Sequence, residues 1–236
     1  MSNPSEDKNK LIVVLLHGFA TGKDNLTNQS LVKILDKNQI STFRFDFFGH
    51  GESEGKIEEL TFSEGVRDAL GAIDYLKSQG YSKIGLMGTS FGGLVSFMVA
   101  SKLEYLEFVA LKSPTSNYQE QTMYSLGKEV IERWKNDQFR FHTRGDGKKI
   151  KINYTFFEDG KNNNGHQVVK KIKTPVLIIH GDQDKVVPIK QSIKTSQILS
   201  NGKLEIIKGA GHTYDEPGTF DQMIDLITKF IIKHSK

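Results

Sequence analysis

The stretch around Ser90 has the residue types and spacing of a catalytic nucleophile. A short apolar run, Ile84–Met87, leads into Gly88-Thr89-Ser90-Phe91-Gly92, and a mostly apolar segment of helical length follows. This order predicts a strand, a tight turn and a buried helix, with the serine at the apex of the turn. Glycine is expected at 88 and 92 because a Cβ there would collide with the neighbouring strand or helix. The pentapeptide also arises by chance, so the rest of the chain has to support it.

Two further reactive residues, Asp184 and His212, also follow predicted strands. Continuous apolar runs favour interior strands of a parallel sheet, and their alternation with helices predicts right-handed crossovers. The predicted strands are Leu11–Leu16, Ser41–Asp46, Ile84–Met87, Glu107–Lys112, Pro175–Ile179 and Lys203–Lys208. The predicted helices are Asp24–Lys37, Thr61–Gly80, the segment after Ser90, Glu120–Trp134, Pro188–Leu199 and Phe220–His234. We therefore expect an α/β fold with a mostly parallel sheet of about six strands, flanked by helices.

The alternation of strands and helices fails between residues 115 and 173. This segment is polar overall but contains a scattered set of aromatic residues: Tyr118, Tyr124, Trp134, Phe139, Phe141, Tyr154, Phe156 and Phe157. It also contains a candidate hairpin, Phe139–Arg144 with Lys149–Tyr154. We interpret residues 115–173 as a small cap over the catalytic edge of the sheet, inserted after the strand that ends near Lys112. Residues 1–114 and 174–236 would then form the core. The alternative is a peripheral decoration whose aromatic rings pack only on one another.

The sequence resembles the α/β-hydrolase superfamily over nearly its whole length. The matching pieces are His17-Gly18-Phe19, Asp46-x-x-Gly49-His50-Gly51-x-Ser53, the Ser90 turn, His180-Gly181-x-x-Asp184-x-x-Val187-Pro188 and Gly211-His212. Within the superfamily it looks most like cinnamoyl and feruloyl esterases, and more loosely like monoacylglycerol lipases. The resemblance implies the α/β-hydrolase fold and the chain order Ser, Asp, His. Many members carry a hairpin and another strand before the strand at Leu11, where ten residues stand here. We therefore expect a sheet without those antiparallel edge strands.

The resemblance implies a role for each candidate site residue. Ser90 would be the nucleophile and His212 the base that activates it, because a serine hydroxyl is a weak nucleophile without a base in hydrogen-bond reach. Asp184 would hold the His212 ring in the reactive tautomer. The amides of Phe91 and, by resemblance, Phe19 would form an oxyanion hole. No cofactor and no metal is implied.

Other acids and histidines compete for these roles. Asp182 lies in the same loop as Asp184, but the later aspartate matches the family motif; Asp46 more plausibly organises its own loop through bonds to the backbone. We expect structural roles for the three histidines that follow strands: His17, His50 and His180. We expect solvated positions for His142, His166 and His234. The histidines lack metal-binding spacing, and no glycine loop matches a nucleotide-binding pattern.

Composition narrows the class of protein. The net charge is +4, and the lysines are scattered without a block of five or six, which argues against a nucleic-acid footprint. The sequence has no cysteine, no signal-peptide pattern and no apolar run long enough to span a membrane, so we expect a cytoplasmic protein. The oligomeric state cannot be read from the sequence.

These observations predict a serine hydrolase that cleaves carboxylic esters of short-chain or aromatic acids through an acyl-enzyme on Ser90. The expected partner is a small-molecule ester. A monoacylglycerol lipase, a thioesterase and a small-peptide hydrolase stay open, because fold and triad do not select the leaving group. A polar insert argues against a lipase for long-chain triglycerides. From another class of protein, a ligand-binding protein without turnover would retain the same three residues.

Overall fold

The computed structural model describes residues 1–4 and 7–235, and a six-stranded parallel sheet lies at its centre. The strands are β1 (Ile12–Leu16), β2 (Ser41–Arg44), β3 (Ile84–Thr89), β4 (Val109–Lys112), β7 (Val176–Gly181) and β8 (Gly202–Ile207). They pair in the order β2-β1-β3-β4-β7-β8, and every pair is parallel. The remaining two, β5 (Phe139–Thr143) and β6 (Lys149–Asn153), form a separate antiparallel hairpin. The predicted fold class and hairpin are confirmed.

Helices cover both faces of the sheet. They are α1 (Leu26–Lys37), α2 (Phe62–Ser78), α3 (Phe91–Ala100), α4 (Tyr118–Leu126), α5 (Lys128–Asp137), α6 (Tyr154–Asp159), α7 (Gly165–Val168), α8 (Lys190–Ile198) and α9 (Thr219–Lys233). Side chains of β1 alternate between two apolar clusters: Ile12, Val14 and Leu16 join residues of α2 and α3, whereas Val13 and Leu15 join residues of α1 and α9. This alternation explains why β1 is apolar at every position, since successive side chains of a strand point to opposite faces.

One predicted helix is wrong. The segment Glu120–Trp134 forms two helices, α4 and α5, that meet at Gly127. Gly127 has a φ of +76°, a conformation that glycine adopts without steric cost and that interrupts the helical backbone. Apolar spacing alone did not reveal this break.

The insert between β4 and β7 packs firmly on the core. Phe156 stacks on Phe62 at 4.7 Å between ring centroids and lies 6.1 Å from the ring of Phe91. The Asp159 carboxylate accepts hydrogen bonds from the Ser63 amide, at 2.7 Å, and from the Ser63 hydroxyl, at 2.6 Å. The aromatic residues of the insert therefore contact α2 and α3 as well as one another. The division into a core (1–114 and 174–236) and a cap (115–173) stays a prediction.

The sheet ends at β2 without an antiparallel edge strand in the part of the chain that the structure describes. An antiparallel bridge is added there between Ser2 and Thr42. None of the helices within residues 1–4 and 7–235 has the length and apolar character required to cross a membrane.

Candidate active site

Ser90 occupies a strained turn between β3 and α3. Its φ of +52° and ψ of −108° lie outside the regions that L-residues normally adopt, and its amide donates to the Lys112 carbonyl at 3.0 Å. A Cβ on Gly88 would lie 2.3 Å from the Ser96 hydroxyl oxygen, and one on Gly92 would lie 2.3 Å from the Leu16 carbonyl oxygen. The two glycines therefore let α3 and β1 approach the turn closely, as the sequence predicts.

The structure brings Ser90, His212 and Asp184 into one hydrogen-bonded chain. The Ser90 Oγ lies 3.2 Å from His212 Nε2, and His212 Nδ1 lies 2.7 Å from Asp184 Oδ2. Since the carboxylate can only accept, Nδ1 carries the proton and Nε2 is left to accept from the serine hydroxyl. Ser90 and His212 are partly exposed while Asp184 is buried, so a substrate can reach the hydroxyl but not the acid.

Both oxygens of the Asp184 carboxylate accept hydrogen bonds. Oδ1 accepts from the amides of Val186 and Val187, each at 2.8 Å. Oδ2 lies 3.2 Å from His180 Nε2 in addition to His212. Burial by itself would raise the pKa of Asp184, but the hydrogen bonds from His180, His212 and the Val187 amide outweigh burial and hold this pKa well below its usual range. Asp184 is therefore ionised wherever the protein is folded near neutral pH.

The two alternative acids lie elsewhere. Asp182 is exposed, and its Oδ1 accepts from the Gly209 amide at 2.7 Å. Asp46 accepts from the amide of Lys23 at 2.7 Å and from its ammonium at 2.8 Å. Burial opposes ionisation of Asp46, yet the hydrogen bonds from Lys23 prevail and lower its pKa to about 2. Neither carboxylate contacts His212; each organises a loop instead.

Two amides are candidates for the oxyanion hole. Phe91 is the first residue of α3, so its amide has no carbonyl one turn earlier to bind, and it lies at the positive end of the helix. The loop that carries Phe19 reaches Ser90: a Cβ on Gly18 would lie 3.7 Å from the Ser90 Cβ. Next in this loop, the Ala20 amide donates to His50 Nε2 at 3.0 Å. The loop is therefore held beside Ser90.

Three buried histidines support the candidate site without contacting Ser90. His17 accepts from the Phe47 amide at 3.0 Å, and burial lowers its pKa to about 4. Burial also lowers the pKa of His50. His180 Nε2 lies 3.0 Å from the Val187 carbonyl and 3.2 Å from Asp184, so it donates to both. The predicted structural roles agree with these contacts, but the support that His180 gives to Asp184 was not anticipated.

The expectation of solvated positions for three other histidines is wrong. His142 is half-buried, with its ring 5.7 Å from that of Phe19. His166 lies 3.3 Å from the Gln191 carbonyl. His234 lies 2.8 Å from the Phe230 carbonyl and packs on the Phe230 ring at 4.4 Å. His142 and His166 contact residues from distant parts of the chain, and His234 contacts the preceding helical turn. Sequence spacing does not reveal these contacts.

The sequence identifies Lys112 only as the end of a strand. In the structure it is hydrogen-bonded to both Ser90 and His212. Its backbone carbonyl accepts from the Ser90 amide, and its ammonium donates to the His212 carbonyl at 3.2 Å. The ammonium also lies 4.9 Å from the centre of the Tyr214 ring. Burial lowers the pKa of Lys112 to about 8, against the opposing attraction of Asp184 and Asp215. The signal for this role in the sequence is a lysine at the end of an otherwise apolar, buried strand.

We expect Lys112→Met to remove a pH dependence of stability. The pKa of Lys112 is about 8 in the folded protein and 10.5 for a solvent-exposed lysine, so the unfolded chain binds more protons between these limits. Wild-type stability should therefore rise with pH from 8 to 10.5 by about 3 kcal/mol more than that of the variant. Urea unfolding at several pH values measures the difference. Lys83→Met, at an exposed lysine, should keep the wild-type slope; equal slopes for all three proteins would contradict the expectation.

Aromatic rings pack on Phe19, and a cation–π contact lies within the insert. The Phe19 ring lies 5.2 Å from that of Phe156, and the Arg140 guanidinium lies 4.6 Å from the Trp134 ring. Among residues 1–4 and 7–235, no group of three or more histidine, aspartate or glutamate side chains is arranged to hold a metal ion.

Comparison with protein-family models identifies the family to which the chain belongs. Residues 7–150 match the model described as serine aminopeptidase, S33, and residues 109–214 match the model of the alpha/beta hydrolase fold. The chain belongs to the serine aminopeptidase S33 family. The protein is thus a hydrolase with the α/β-hydrolase fold.

Relatives of this S33-family hydrolase carry different names. Human Protein ABHD12B is 28% identical over 197 residues, which cover 80% of this chain but 50% of that protein. The Mycoplasma pneumoniae protein called Putative esterase/lipase 2 is 27% identical over 256 residues, covering 94% of this chain and 90% of that protein. The structure of Est1E from Butyrivibrio proteoclasticus with ferulic acid bound has a TM-score of 0.82, at 23% identity, and covers 99% of this chain and 93% of its own. The chain thus spans about half the length of the human relative.

Proposed function

We propose that this protein hydrolyses carboxylic esters of short-chain or aromatic acids through an acyl-enzyme on Ser90. The observation that carries the proposal is the hydrogen-bonded chain from Ser90 Oγ through His212 to the buried carboxylate of Asp184. In the first step, His212 Nε2 takes the hydroxyl proton while Ser90 Oγ attacks the ester carbonyl. The protonated imidazole then gives this proton to the leaving alcohol.

The second step repeats the first with water as the nucleophile. His212 removes a proton from the water that attacks the acyl-enzyme, and returns it to Ser90 Oγ as the acid departs. In both steps the carbonyl oxygen becomes negative, and the amides of Phe19 and Phe91 would stabilise it; losing one such donor typically costs about 10²–10³-fold in rate. A cytoplasmic location remains part of the proposal.

An ester is favoured over a peptide with a free amino terminus, despite the description of the family model. An aminopeptidase needs a carboxylate near the site to bind the substrate ammonium. The carboxylate that contacts His212 is buried and fully hydrogen-bonded, and Asp46 is paired with Lys23. The two exposed acids that follow His212 in the chain each accept a hydrogen bond from a neighbouring residue. The three rings that pack on Phe19 carry no carboxylate. The names of the Mycoplasma and Butyrivibrio relatives, which mention esterase, lipase and ferulic acid, support the same choice.

Hydrolysis of p-nitrophenyl esters from acetate to palmitate, methyl ferulate and aminoacyl p-nitroanilides tests the proposal. We expect turnover of acetate, butyrate or ferulate, and a loss of about 10³-fold or more in Ser90→Ala, because the nucleophile is gone. Ser101→Ala, which removes a serine hydroxyl at the other end of α3, should keep wild-type activity.

Covalent labelling separates the remaining possibilities. A fluorophosphonate should add to Ser90 in the wild type and not in Ser90→Ala, as seen by mass spectrometry. Turnover of the aminoacyl p-nitroanilides alone would indicate a peptide substrate rather than an ester. A maximum of ester turnover at palmitate would indicate a lipase. Absence of both turnover and labelling would favour the alternative function, a ligand-binding protein without turnover.

A further inference from the structure

The outer face of the β5–β6 hairpin presents aromatic rings and positive charges to solvent. Directly opposed pairs define this face: Phe139 with Asn153, Phe141 with Lys151, and Thr143 with Lys149. The side chain of Phe141 is 60% exposed and that of Phe139 is 37% exposed, although both are large and apolar. The two rings contact each other at 5.7 Å, and the Lys151 ammonium lies 4.8 Å from the Phe139 ring. An exposed aromatic pair beside lysines suggests a binding surface.

The hairpin is rich in positive charge. Residues 139–153 contain five basic side chains (Arg140, Arg144, Lys148, Lys149 and Lys151) and one acidic side chain, Asp146. They account for five of the 32 basic residues and one of the 28 acidic residues, so the rest of the chain carries 27 of each. The hairpin therefore carries a net charge of +4 within fifteen residues.

The inner face of the hairpin lies against the candidate active site. Ile152 is buried, and its carbonyl accepts from the Trp134 indole at 3.0 Å. His142 packs on Phe19, the candidate oxyanion-hole residue, at 5.7 Å between rings. Because successive residues of a strand face opposite sides, Phe141 points outward while His142 contacts the site. Whatever binds the outer face is thus only one layer of protein away from Phe19.

We propose that the outer face of the β5–β6 hairpin docks on the surface of an anionic lipid membrane and holds the Ser90 site at the membrane–water interface. Lysine and arginine are attracted to the acidic headgroups, with roughly a fivefold gain in binding for each side chain near the surface. The rings of Phe139 and Phe141 enter the boundary between headgroups and acyl chains, where exposed aromatic side chains are favoured. The occupant thus needs both negative charge and an apolar layer beneath it.

A nucleic acid fits these observations less well. Nucleic-acid-binding surfaces track a long phosphate backbone with basic residues spread over much of one face. Here the exposed rings and the lysines beside them lie on a short ribbon of five residue pairs. The hairpin also borders the Ser90 site, for which we propose uncharged esters as substrates. The membrane is therefore the occupant that accounts for the charge, the rings and the location together.

Docking does not depend on the proposed esterase activity. The outer face contains neither Ser90 nor His212, so Ser90→Ala protein should bind membranes as the wild type does. If the wild type binds membranes but hydrolyses none of the esters, that would count against the proposed function only. Retained turnover on soluble esters without binding would count against the docking only.

Co-sedimentation with lipid vesicles tests the proposal. Wild-type and Ser90→Ala proteins are mixed with sucrose-loaded vesicles of phosphatidylcholine, with or without about a quarter phosphatidylglycerol, at low and high NaCl. We expect binding to the anionic vesicles at low salt, weakening as salt increases, and little binding to the neutral ones. Phe139→Ser/Phe141→Ser should weaken binding roughly tenfold, and Lys149→Glu/Lys151→Glu roughly 25-fold or more.

A matched pair elsewhere provides the control. Tyr105 is an exposed aromatic residue with the Lys77 ammonium 4.1 Å from its ring, at the edge of the sheet opposite Ser90. Lys77→Glu/Tyr105→Ser should bind as the wild type does, and circular dichroism should show that all variants are folded. Absence of wild-type binding at low salt, equal binding to neutral vesicles, or folded hairpin variants that bind normally would each overturn the proposal. Stronger binding to single-stranded RNA than to anionic vesicles would overturn it in favour of a nucleic acid.

Discussion

Asp184→Asn should lower kcat for ester hydrolysis by about 10³–10⁴-fold, as the loss of the orienting carboxylate does in other serine hydrolases. The reason lies in the four contacts of this carboxylate. The amides of Val186 and Val187 both donate to Oδ1, so the oxygen of an asparagine would remain there. Its NH₂ group would then face His180 and His212 at the position of Oδ2. Because NH₂ donates, His212 Nδ1 would have to accept, and its proton would move to Nε2, where it blocks removal of the Ser90 proton.

Asp182→Asn is the matched control, two residues away in the same loop. Asp182 is exposed, and an asparagine oxygen can still accept from the Gly209 amide. We expect a change in kcat of less than about threefold. Steady-state kinetics on one p-nitrophenyl ester, with thermal melting to show that both variants are folded, measure the contrast. Normal activity in Asp184→Asn together with a large loss in Asp182→Asn would transfer the acid role to Asp182.

The second large effect is expected from Gly92→Ala, which should destabilise the protein by about 3 kcal/mol or more. The added methyl would lie 2.3 Å from the Leu16 carbonyl oxygen and 2.7 Å from that of His17. Both are backbone atoms where β1 passes α3, so neither can move without disturbing the centre of the sheet. Urea unfolding measures the loss, and the same strain should also disturb the Ser90 turn and reduce hydrolysis.

Gly71→Ala shows what the same chemical change does without a clash. Gly71 is exposed in α2, and an added Cβ would meet no atom within 4 Å. Since glycine inside a helix costs about 0.5–1 kcal/mol relative to alanine, this variant should be slightly more stable than the wild type. Equal unfolding midpoints for Gly92→Ala and the wild type would show that β1 and α3 are not packed as closely as described.

The sheet could be predicted from the sequence because each of its strands has a clear apolar pattern. Burial on both faces leaves β1 without a polar residue, and such runs can be recognised locally. The turn at Ser90 was also predictable, since its glycines are required by close contacts within one strand–turn–helix unit. The candidate site residues follow strands whose carboxyl ends meet at one edge of the sheet, which placed them together before any distance was known.

The supporting contacts could not be predicted in the same way. The break between α4 and α5 depends on one backbone dihedral angle at Gly127. Lys112 and His212 are one hundred residues apart in sequence, and nothing near either residue indicates their hydrogen bond. His142 is close to Phe19 only because the whole insert folds back on α2 and α3. Such contacts depend on the tertiary fold, and they decide how rigid the site is.

The bridge between Ser2 and Thr42 has a consequence for aggregation. An outermost strand exposes unpaired backbone groups that can recruit a strand from another copy. At β2, the amides and carbonyls of Ser2 and Thr42 are paired at 2.9 Å, and the Ser41 hydroxyl donates to Asn3 at 2.7 Å. At β8, the other outermost strand, Lys203 and Glu205 form an ion pair at 2.6 Å. Residues far from the chemistry thus oppose edge-to-edge polymerisation, a hazard that a sheet without covering strands would otherwise face in a crowded solution.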